Sequence, residues 1–391
     1  MPVRAFISRV LDFVHVPTLG DHYSPATGSA IMTIIYEMTR IHAGHGRRTR
    51  IVVARGTRHD YPVGECIEVQ PAHRASKRRK AADAVLGRLR LPRVFGREAY
   101  RSACDAMPKG FDGLIFIHND PVAIPLFRQE HPAARVCLWA NNELFRTYCD
   151  RETQGIVRAA DRVICCSEYV AGDLRGRLGG SQDLGKKIRV VHNGADIERF
   201  RPDTGKRMSG VPIVLFVGRV IPEKGPDLLL KAAGKLYGGG RRFIVRIVGS
   251  SGFSATDRLT PYEEELRRLA APMGDAVVFQ PFVDRARVVD EYQAASIFCA
   301  PSTWNEPVSL TVPEALASGL ATIASRKGGI PEVGGQAILY FDPPDADMLA
   351  AHLGMLLDNV ELRQTWGHRA REQAHLVSWE RQYKILVESL L

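Results

Sequence analysis

The chain has 391 residues, of which 45% are hydrophobic and 25% charged, and its formal net charge is +10. At about 100–200 residues per domain this length predicts two or three domains, and the composition is that of ordinary globular proteins. Disordered, collagen-like and coiled-coil chains are therefore excluded. The longest apolar runs, such as residues 211–217, fall far short of the roughly 20 residues that cross a membrane, and the N-terminus lacks the pattern of a signal peptide. Seven cysteines without a CxxC or CxxH pair indicate buried single thiols in a reducing compartment.

Most of the positive charge is concentrated between Arg74 and Arg101, which we call the basic segment. It contains ten cations and two anions. Such a segment is usually a solvated surface, but it also suits an anionic partner such as a phospholipid, a diphosphate-linked acceptor or a nucleic acid. Apolar residues are interspersed among the cations, so the segment predicts a basic amphipathic helix; they are Ala81, Ala82, Val85, Leu86 and Leu89.

The first half of the chain alternates short apolar strands with helices. Strands are predicted at residues 4–10, 50–54, 113–118, 135–139, 162–166 and 188–191, and helices at 28–41 and 154–160. Continuous apolar strands separated by helices are typical of a parallel sheet buried on both faces.

A polar stretch rich in Pro and Gly, residues 201–212, predicts a linker, after which the pattern restarts. Strands are predicted at 213–217, 243–248, 277–280, 296–300 and 321–324, and helices at 225–237, 262–271, 286–295, 310–318 and 378–391. Two α/β domains joined by one linker predict a cleft, with ligands beyond the carboxyl ends of the strands.

Two cations follow the strand at 213–217. Gly218 allows close backbone approach, Arg219 can grip a phosphate with two hydrogen bonds, and Lys224 supplies a compact charge just before a predicted helix. Taken alone, two surface cations in a loop remain the simpler interpretation.

Two carboxylates lie eight residues apart where a loop enters a helix. Glu306 and Glu314 can accept hydroxyl hydrogens, and the backbone amides of Ser309, Leu310 and Thr311 can meet a phosphate. Spacing alone favours a capping box, in which Thr311 and Glu314 satisfy the helix start.

Two weaker signals follow. The sequence Lys327-Gly328-Gly329-Ile330-Pro331-Glu332 is a glycine turn that ends in an acid. The Asp345-Ala-Asp347 sequence looks like the DxD of metal-dependent sugar transferases, but its position after two prolines favours helix capping.

Three stretches together resemble the retaining glycosyltransferase family 4, which has the GT-B fold. They are FVGRVIPEKGPDLLLKA, APSTWNEPVSLTVPEALASGLATIASRKGGIPEV and the weaker HNGADIERF. The resemblance implies an α/β fold with two Rossmann-like domains whose parallel sheets face each other across an interdomain cleft. We expect an acceptor-side domain at 1–200, a linker at 201–212, a nucleotide-sugar donor domain at 213–377, and a C-terminal helix at 378–391 that packs on the first domain.

The resemblance also implies residue roles and an activity. A hexose-type sugar would pass from a UDP- or GDP-sugar to a hydroxyl acceptor with retention of configuration, without metal or other cofactor. Arg219 and Lys224 would take the diphosphate, Glu306 would hold sugar hydroxyls and Glu314 the ribose, which outweighs the capping box. The remaining donor-binding residues implied are Gly28, Ser309, Leu310 and Thr311.

This sequence departs from the family pattern at several positions. Thr27 and Ser29 flank Gly28 where two adjacent glycines are usual, and Ser309 replaces a glycine. Val283 lies in the expected base-binding stretch, where Asp284 replaces a glycine. The histidine usual after the strand ending in Trp139 is missing, so His118 and Asn141 are the candidates for the catalytic position of the first domain.

Three functions remain open at this stage. The first is glycosyl transfer in polysaccharide, lipopolysaccharide or other glycoconjugate biosynthesis, by a cytoplasmic enzyme that contacts the inner membrane face and a lipid-linked acceptor through the basic segment. The second is a nucleotide-sugar epimerase with the same fold. The third is a non-enzymatic anion-binding protein; nucleic acid is not expected as a partner, because no nucleic-acid fold signature accompanies the charge.

Overall fold

The chain divides into two compact units. The computed structural model describes residues 12–70, 76–89, 91, 93–203, 205, 210–252, 256 and 258–390. Unit 1 comprises the described parts of 1–24, 29–192 and 383–391, and unit 2 comprises 25–28 and the described parts of 193–382. The division therefore falls at His192 and Asn193, ahead of the predicted linker. The strand predicted at 4–10, part of that linker, and Arg74 and Arg90 lie outside the described residues.

Unit 1 contains a seven-stranded sheet in the order β3-β2-β1-β4-β5-β6-β7, and each paired strand runs parallel to its neighbours. The strands are β1 Phe13–Val16, β2 Thr49–Ala54, β3 Glu65–Val69, β4 Leu114–His118, β5 Arg135–Ala140, β6 Arg162–Cys165 and β7 Ile188–Val190. The helices are α1 Ala30–Gly44, α2 Lys77–Arg88, α3 Val94–Glu98, α4 Arg101–Asp105, α5 Ile124–Glu130, α6 Asp150–Ala159, α7 Glu168–Gly176 and α8 Gln182–Gly185.

Unit 2 contains a six-stranded sheet in the order β10-β9-β8-β11-β12-β13, again parallel throughout. The strands are β8 Ile213–Val217, β9 Ile244–Val248, β10 Val277–Gln280, β11 Ile297–Ala300, β12 Ala321–Ser325 and β13 Ile338–Phe341. The helices are α9 Pro226–Gly238, α10 Pro261–Ala270, α11 Val288–Ala294, α12 Thr311–Ala317, α13 Ile330–Gly334, α14 Ala346–Asp358, α15 Val360–Leu376 and α16 Trp379–Ser389.

The central strands of both sheets are buried on both faces. Every residue of β1, β4, β11 and β12 is buried. The continuous apolar runs predicted this for β4, β11 and β12, whereas β1 was not among the predicted strands. The strand order reverses between β1 and β4 in unit 1 and between β8 and β11 in unit 2. Sheets of this type bind ligands beyond the carboxyl ends of the strands at such a reversal, so each unit has one favoured place for a site.

The C-terminal helix α16 continues into unit 1. Tyr383 and the residues after it group with that unit, and the Tyr383 hydroxyl lies 2.8 Å from Nδ1 of His42 in α1. The Arg162 guanidinium donates to the carbonyl oxygen of Ser389. These contacts tie the end of the chain to β6 and α1.

The basic segment is only partly a solvated surface. Arg78, Arg79 and Lys80 are exposed on α2, and Val85 and Leu89 are exposed beside them. Arg93, in contrast, is buried, although the sequence counted it among the surface cations. Its guanidinium pairs with Glu152 and stacks over the Tyr148 ring at 3.7 Å, while Arg101 pairs with Glu130. The unpaired charge of this segment is therefore smaller than its composition suggests.

Candidate active site

Three loops of unit 2 converge on the buried carboxylate of Glu306. They follow the carboxyl ends of β8, β11 and β12, which surround the reversal of strand order. Lys224 Nζ lies 2.8 Å from Glu306 Oε1, and the Ser302 hydroxyl donates to the same oxygen. The amide of Gly329 donates to the Glu306 carbonyl oxygen at 2.7 Å. The three sequence signals around Lys224, Glu306 and Gly328 are thus parts of one site.

Two glycines permit this close approach of the loops. Gly225 has a φ of +67°, and a β-carbon there would lie 2.1 Å from the carbonyl oxygen of Pro301. Gly328 has a φ of +54°, and a β-carbon there would lie 2.0 Å from the carbonyl oxygen of Glu306. Both positions demand a left-handed backbone and the absence of a side chain, which only glycine combines without strain.

The two cations of the site differ in their surroundings. The Lys224 side chain is 18% exposed, paired with Glu306, and its Nζ lies 5.9 Å from the centre of the Trp304 ring. Arg219 is exposed and pairs with no carboxylate in the described part of the chain. Arg219 and Lys224 both lie in the loop after β8, where their charges can attract an anion, and Lys224 can then share its hydrogen bonds between Glu306 and that anion.

Glu314 lies in α12, and its side chain does not form the capping box. The helix begins at Thr311 without a side-chain cap at its N-cap residue, so the prediction from spacing alone was wrong. The buried Glu314 carboxylate instead pairs with Arg285 and accepts a hydrogen bond from the Tyr292 hydroxyl at 3.0 Å. Burial, together with the nearby Glu314, raises the pKa of Tyr292, so its hydroxyl remains a donor at neutral pH.

Ser309 interacts with the first residue of α12. Its Oγ lies 2.7 Å from Thr311 Oγ1 and accepts a hydrogen bond from the Thr311 amide at 3.3 Å. One of the three amides expected to bind a ligand, that of Thr311, is therefore directed to a side chain in this structure. Leu310 is the N-cap residue and is half-buried.

The remaining residues expected near a donor, Val283 and Gly28, also group with unit 2. Val283 is half-buried against the core of that unit. Gly28 belongs to the short segment 25–28 that groups with unit 2, and the Arg285 amide donates to the carbonyl oxygen of Pro25 at 3.0 Å. Arg285 thus contacts both this segment and Glu314, a connection that no sequence pattern indicated.

His118 is completely buried at the end of β4 in unit 1. Its Nε2 lies 2.9 Å from Nδ1 of His15 on β1, and its ring stacks on Trp139 of β5 at 5.2 Å. Burial lowers the pKa of His118 to about 3 and, with the two neighbouring histidines His118 and His42, lowers that of His15 well below its usual value. Both imidazole rings are therefore neutral at pH 7, and both are fully buried.

Asn141 follows the end of β5, and its backbone amide donates to Asn119 Oδ1 at 2.8 Å. Asn119 adopts a left-handed conformation, with a φ of +57°, immediately after β4. The side-chain amide atoms of Asn141 are buried without a hydrogen-bond partner among the described residues. Unpaired buried polar atoms are costly, and His118 Nδ1 is also buried without a partner among the described residues, so this observation does not separate the two candidates.

Sequence reasoning missed a carboxylate beside these residues. Asp120 accepts a hydrogen bond from the Tyr100 hydroxyl at 2.7 Å, and burial raises the pKa of Asp120 to about 6. The only sequence signal is its position two residues beyond β4.

Asp345 caps a helix, as predicted. Its Oδ1 accepts hydrogen bonds from the amides of Asp347 and Met348 at the start of α14, at 3.0 and 2.8 Å. Asp347 points elsewhere and pairs with Lys235. Within the described residues, no group of three or more metal-binding side chains comes together.

Family models match almost the whole chain. One described as "Glycosyltransferase Family 4" matches residues 35–199, and one described as "Glycosyl transferases group 1" matches residues 196–373. With its two parallel sheets and a site at the carboxyl ends of strands, the protein is a glycosyltransferase with the GT-B fold. The chain belongs to the glycosyl transferases group 1 family.

Curated relatives are similar to this chain in sequence, and solved structures share its fold. Spore coat protein SA of Bacillus subtilis (strain 168) is 27% identical over 73% of this chain and 80% of its own length. A D-inositol 3-phosphate glycosyltransferase of Streptomyces scabiei (strain 87.22) is 35% identical over 59% of this chain, which spans about half (53%) of that relative. Among solved structures, sucrose-phosphate synthase from Thermosynechococcus elongatus shares the fold with a TM-score of 0.72 and 21% identity, over 95% of this chain and 96% of that one. Anabaena Alr3699/HepE in complex with UDP and glucose has a TM-score of 0.70 and 16% identity, over 97% and 99%.

Proposed function

We propose that the protein moves a hexose-type sugar from a nucleotide diphosphate sugar to a hydroxyl acceptor in glycoconjugate biosynthesis, with retention of configuration and without a metal ion. The observation that carries this proposal is the pair of Lys224 with the buried Glu306 beyond the carboxyl ends of the neighbouring strands β8 and β11, with the exposed Arg219 in the same loop as Lys224. A UDP-sugar is the favoured donor, because the structural neighbour Alr3699/HepE holds UDP and glucose on the same fold.

The chemistry of the site suits a leaving diphosphate. Arg219 and Lys224 would stabilise the negative charge that develops as the glycosidic bond to phosphate breaks, which is the part of transfer that most needs electrostatic help. Glu306 would accept hydrogen bonds from sugar hydroxyls and position the ring. With two cations at the leaving group, no metal ion is required there.

A donor panel tests the proposal directly. UDP-, GDP- and ADP-sugars would be titrated into the chain, and hydrolysis or transfer would be followed with and without added acceptor. We expect one UDP- or GDP-sugar to bind and react, with product of the same anomeric configuration by NMR and undiminished rates in EDTA. A rate lost in EDTA and restored by Mg²⁺ or Mn²⁺ would contradict the metal-free mechanism, and isomerised free donor would favour the epimerase.

We also propose that the exposed part of the basic segment draws the enzyme to an anionic membrane face. None of the helices in the described residues is long and apolar enough to cross a bilayer. Arg78, Arg79 and Lys80 are exposed on α2 beside Val85 and Leu89. Each cation near an anionic surface contributes about 1 kcal/mol.

Vesicle sedimentation tests this second proposal. We expect binding to vesicles with anionic lipid at low salt, weak binding to neutral ones, and a clear loss when Arg78, Arg79 and Lys80 are replaced by Ser. A charge-matched control replaces three exposed arginines of unit 2, Arg242, Arg258 and Arg369. Equal binding to anionic and neutral vesicles, or equal loss in the control, would contradict the proposal.

A further inference from the structure

A pocket of about 290 Å³ opens in unit 1, away from the residues assigned so far. Its walls come from α2, α3, the start of α5 and the first turns of α6, and α5 and α6 follow the carboxyl ends of β4 and β5. It is therefore at the edge of the sheet where parallel α/β folds bind ligands. The lining residues are Gly87, Leu91, Arg93, Arg97, Val122, Pro125, Cys149, Arg151, Glu152, Gly155 and Ile156.

The charge of this pocket is positive and partly uncompensated. Three arginines and one carboxylate line the pocket. That carboxylate, Glu152, is bound by Arg93 through contacts of 2.6 and 3.0 Å, and the buried Asp83 also acts on Arg93, so Arg93 is neutralised. Arg97 makes only a long contact of 3.5 Å with Gln129, and the exposed Arg151 pairs with no carboxylate in the described chain. Two guanidinium groups are thus available to an anion.

The rest of the pocket is apolar, and so is the surface beside it. Five large apolar side chains of the described residues are more than half exposed, and four of them lie close together in sequence: Val85, Leu89, Leu91 and Val94. Leu91 itself lines the pocket. Exposed large apolar side chains that cluster in one segment are candidates for binding an apolar ligand.

We infer that this pocket binds the phosphate group and the adjoining hydrocarbon of an amphiphilic acceptor, namely a phospholipid whose head group also carries the hydroxyl that receives the sugar. Arg97 and Arg151 hold the phosphate, the apolar wall takes the first part of the chain, and the exposed apolar residues continue its path. The volume is at the lower end of the roughly 300–1,000 Å³ of small-molecule sites, which fits a head group with part of a chain rather than a whole lipid. The inference rests on the proposed transfer to a hydroxyl acceptor and specifies the class of that acceptor.

Calorimetric titration of the full chain separates the components of this ligand. The probes are n-octyl phosphate below its micellar concentration, inorganic phosphate and n-octanol. We expect octyl phosphate to bind at least about tenfold more tightly than either of the others. Equal affinity for inorganic phosphate would indicate a bare anion site, equal affinity for octanol a purely apolar one, and either result, or no binding, overturns the inference.

Matched variants locate the binding. Arg97→Gln and Arg151→Gln should each weaken octyl phosphate binding roughly tenfold, whereas Arg158→Gln, on the same helix α6 but outside the pocket, should not.

A second pair of variants tests the pocket volume. Gly155 lines the pocket with open space around it, so Gly155→Leu should fill the pocket and abolish binding. Gly172→Leu, at an equally open glycine of α7, is the control. Unchanged binding by Gly155→Leu overturns the inference. Titration of the same samples with UDP-glucose tests the donor site separately, so loss of only one activity shows which proposal fails.

Discussion

Glu306 lies in the most specific sequence motif of the chain, and its carboxylate is buried in the structure. Its carboxylate is 3% exposed and accepts from both Lys224 and Ser302. A carboxylate kept out of water needs such partners, and the same partners orient it toward a ligand.

We expect Glu306→Gln to reduce turnover much more than stability. The amide oxygen can still accept from Lys224 and Ser302, so the melting temperature should change little, but an uncharged acceptor binds sugar hydroxyls more weakly. Steady-state kinetics on the folded fraction and thermal unfolding check this. A large fall in melting temperature with normal specific activity would show that Glu306 is structural.

Arg219→Ala should weaken donor binding without destabilising the protein. The side chain is exposed and unpaired among the described residues, so its loss removes only ligand contacts, worth about 1.5–3 kcal/mol or roughly tenfold and more. Calorimetric titration with the donor or with UDP measures this, with Arg242→Ala, just before β9, as control. Wild-type affinity in Arg219→Ala would place the diphosphate elsewhere.

Lys224→Ala should reduce both donor binding and the stability of the protein. It removes a ligand contact, and it leaves the buried Glu306 without its cation, which is destabilising by up to several kcal/mol. We therefore expect weaker donor binding together with a lower melting temperature. A melting temperature equal to that of Arg219→Ala would show that the Lys224–Glu306 pair adds nothing to stability.

The hydrogen-bond partners of a side chain could be predicted only where those partners are close to it in sequence. The cap by Asp345 involves residues two and three positions away, so its spacing was sufficient. Glu314 also had a plausible local partner, yet it pairs with Arg285 and Tyr292, which are 29 and 22 residues away and reach it only after the sheet forms. Contacts of the second type follow from tertiary structure and leave no periodic pattern.

At the level of elements, the loop between β8 and α9 depends on Gly225. This residue ends the short 3-10 turn Pro222–Lys224 in a left-handed conformation and brings Lys224 to Glu306. The following helix has Pro226 in its first turn, where a missing amide hydrogen is harmless.

Gly225→Ala should therefore damage the site through its backbone. The added β-carbon would meet the Pro301 carbonyl oxygen at 2.1 Å, so the loop must move and Lys224 moves with it. We expect donor affinity to fall at least as much as in Arg219→Ala, with a moderate loss of stability. Gly234→Ala, in the middle of α9 with open space around it, should be neutral or slightly stabilising. Wild-type affinity in Gly225→Ala would show that the loop tolerates the shift.

Most apolar strands were predicted from the sequence, but β1 Phe13–Val16 and β13 Ile338–Phe341 were missed, as was the polar strand β3. Residues 213–217 form β8 as predicted, because a continuous run of five apolar residues is stabilised as a strand when both faces of the sheet are covered. The edge strand β3, Glu65–Val69, contains two exposed glutamates and only one buried residue, Val69, so its sequence lacks the continuous apolar run of the central strands. It forms because β2 offers a free parallel edge, and that is a property of the sheet.

At the scale of the whole molecule, two parallel sheets follow from the repeated alternation of apolar strands and helices. The division at His192 and Asn193 and the grouping of Pro25–Gly28 with unit 2 depend instead on contacts between distant segments. The linker was predicted at 201–212 from its polar composition. Composition identifies polar stretches, but it does not locate the residue at which contacts with one unit give way to contacts with the other.

The free energy of unfolding of the chain should fall steeply below pH 6.5 because of the buried histidine pair. His15 and His118 are neutral in the folded protein, with lowered pKa values, whereas unfolded histidines take up protons near pH 6.5. The unfolded state thus binds more protons on acidification, and at pH 5 this costs about 2 kcal/mol per histidine relative to pH 7. Asp120, whose folded pKa is raised to about 6, acts in the opposite direction, but it takes up only one proton and offsets only about 1 kcal/mol of the loss.

Urea unfolding at pH 7, 6 and 5 measures this loss of stability. His15→Phe combined with His118→Phe should flatten it, the exposed His375→Gln should leave it unchanged, and an equally steep loss in the double variant would assign acid sensitivity to other groups.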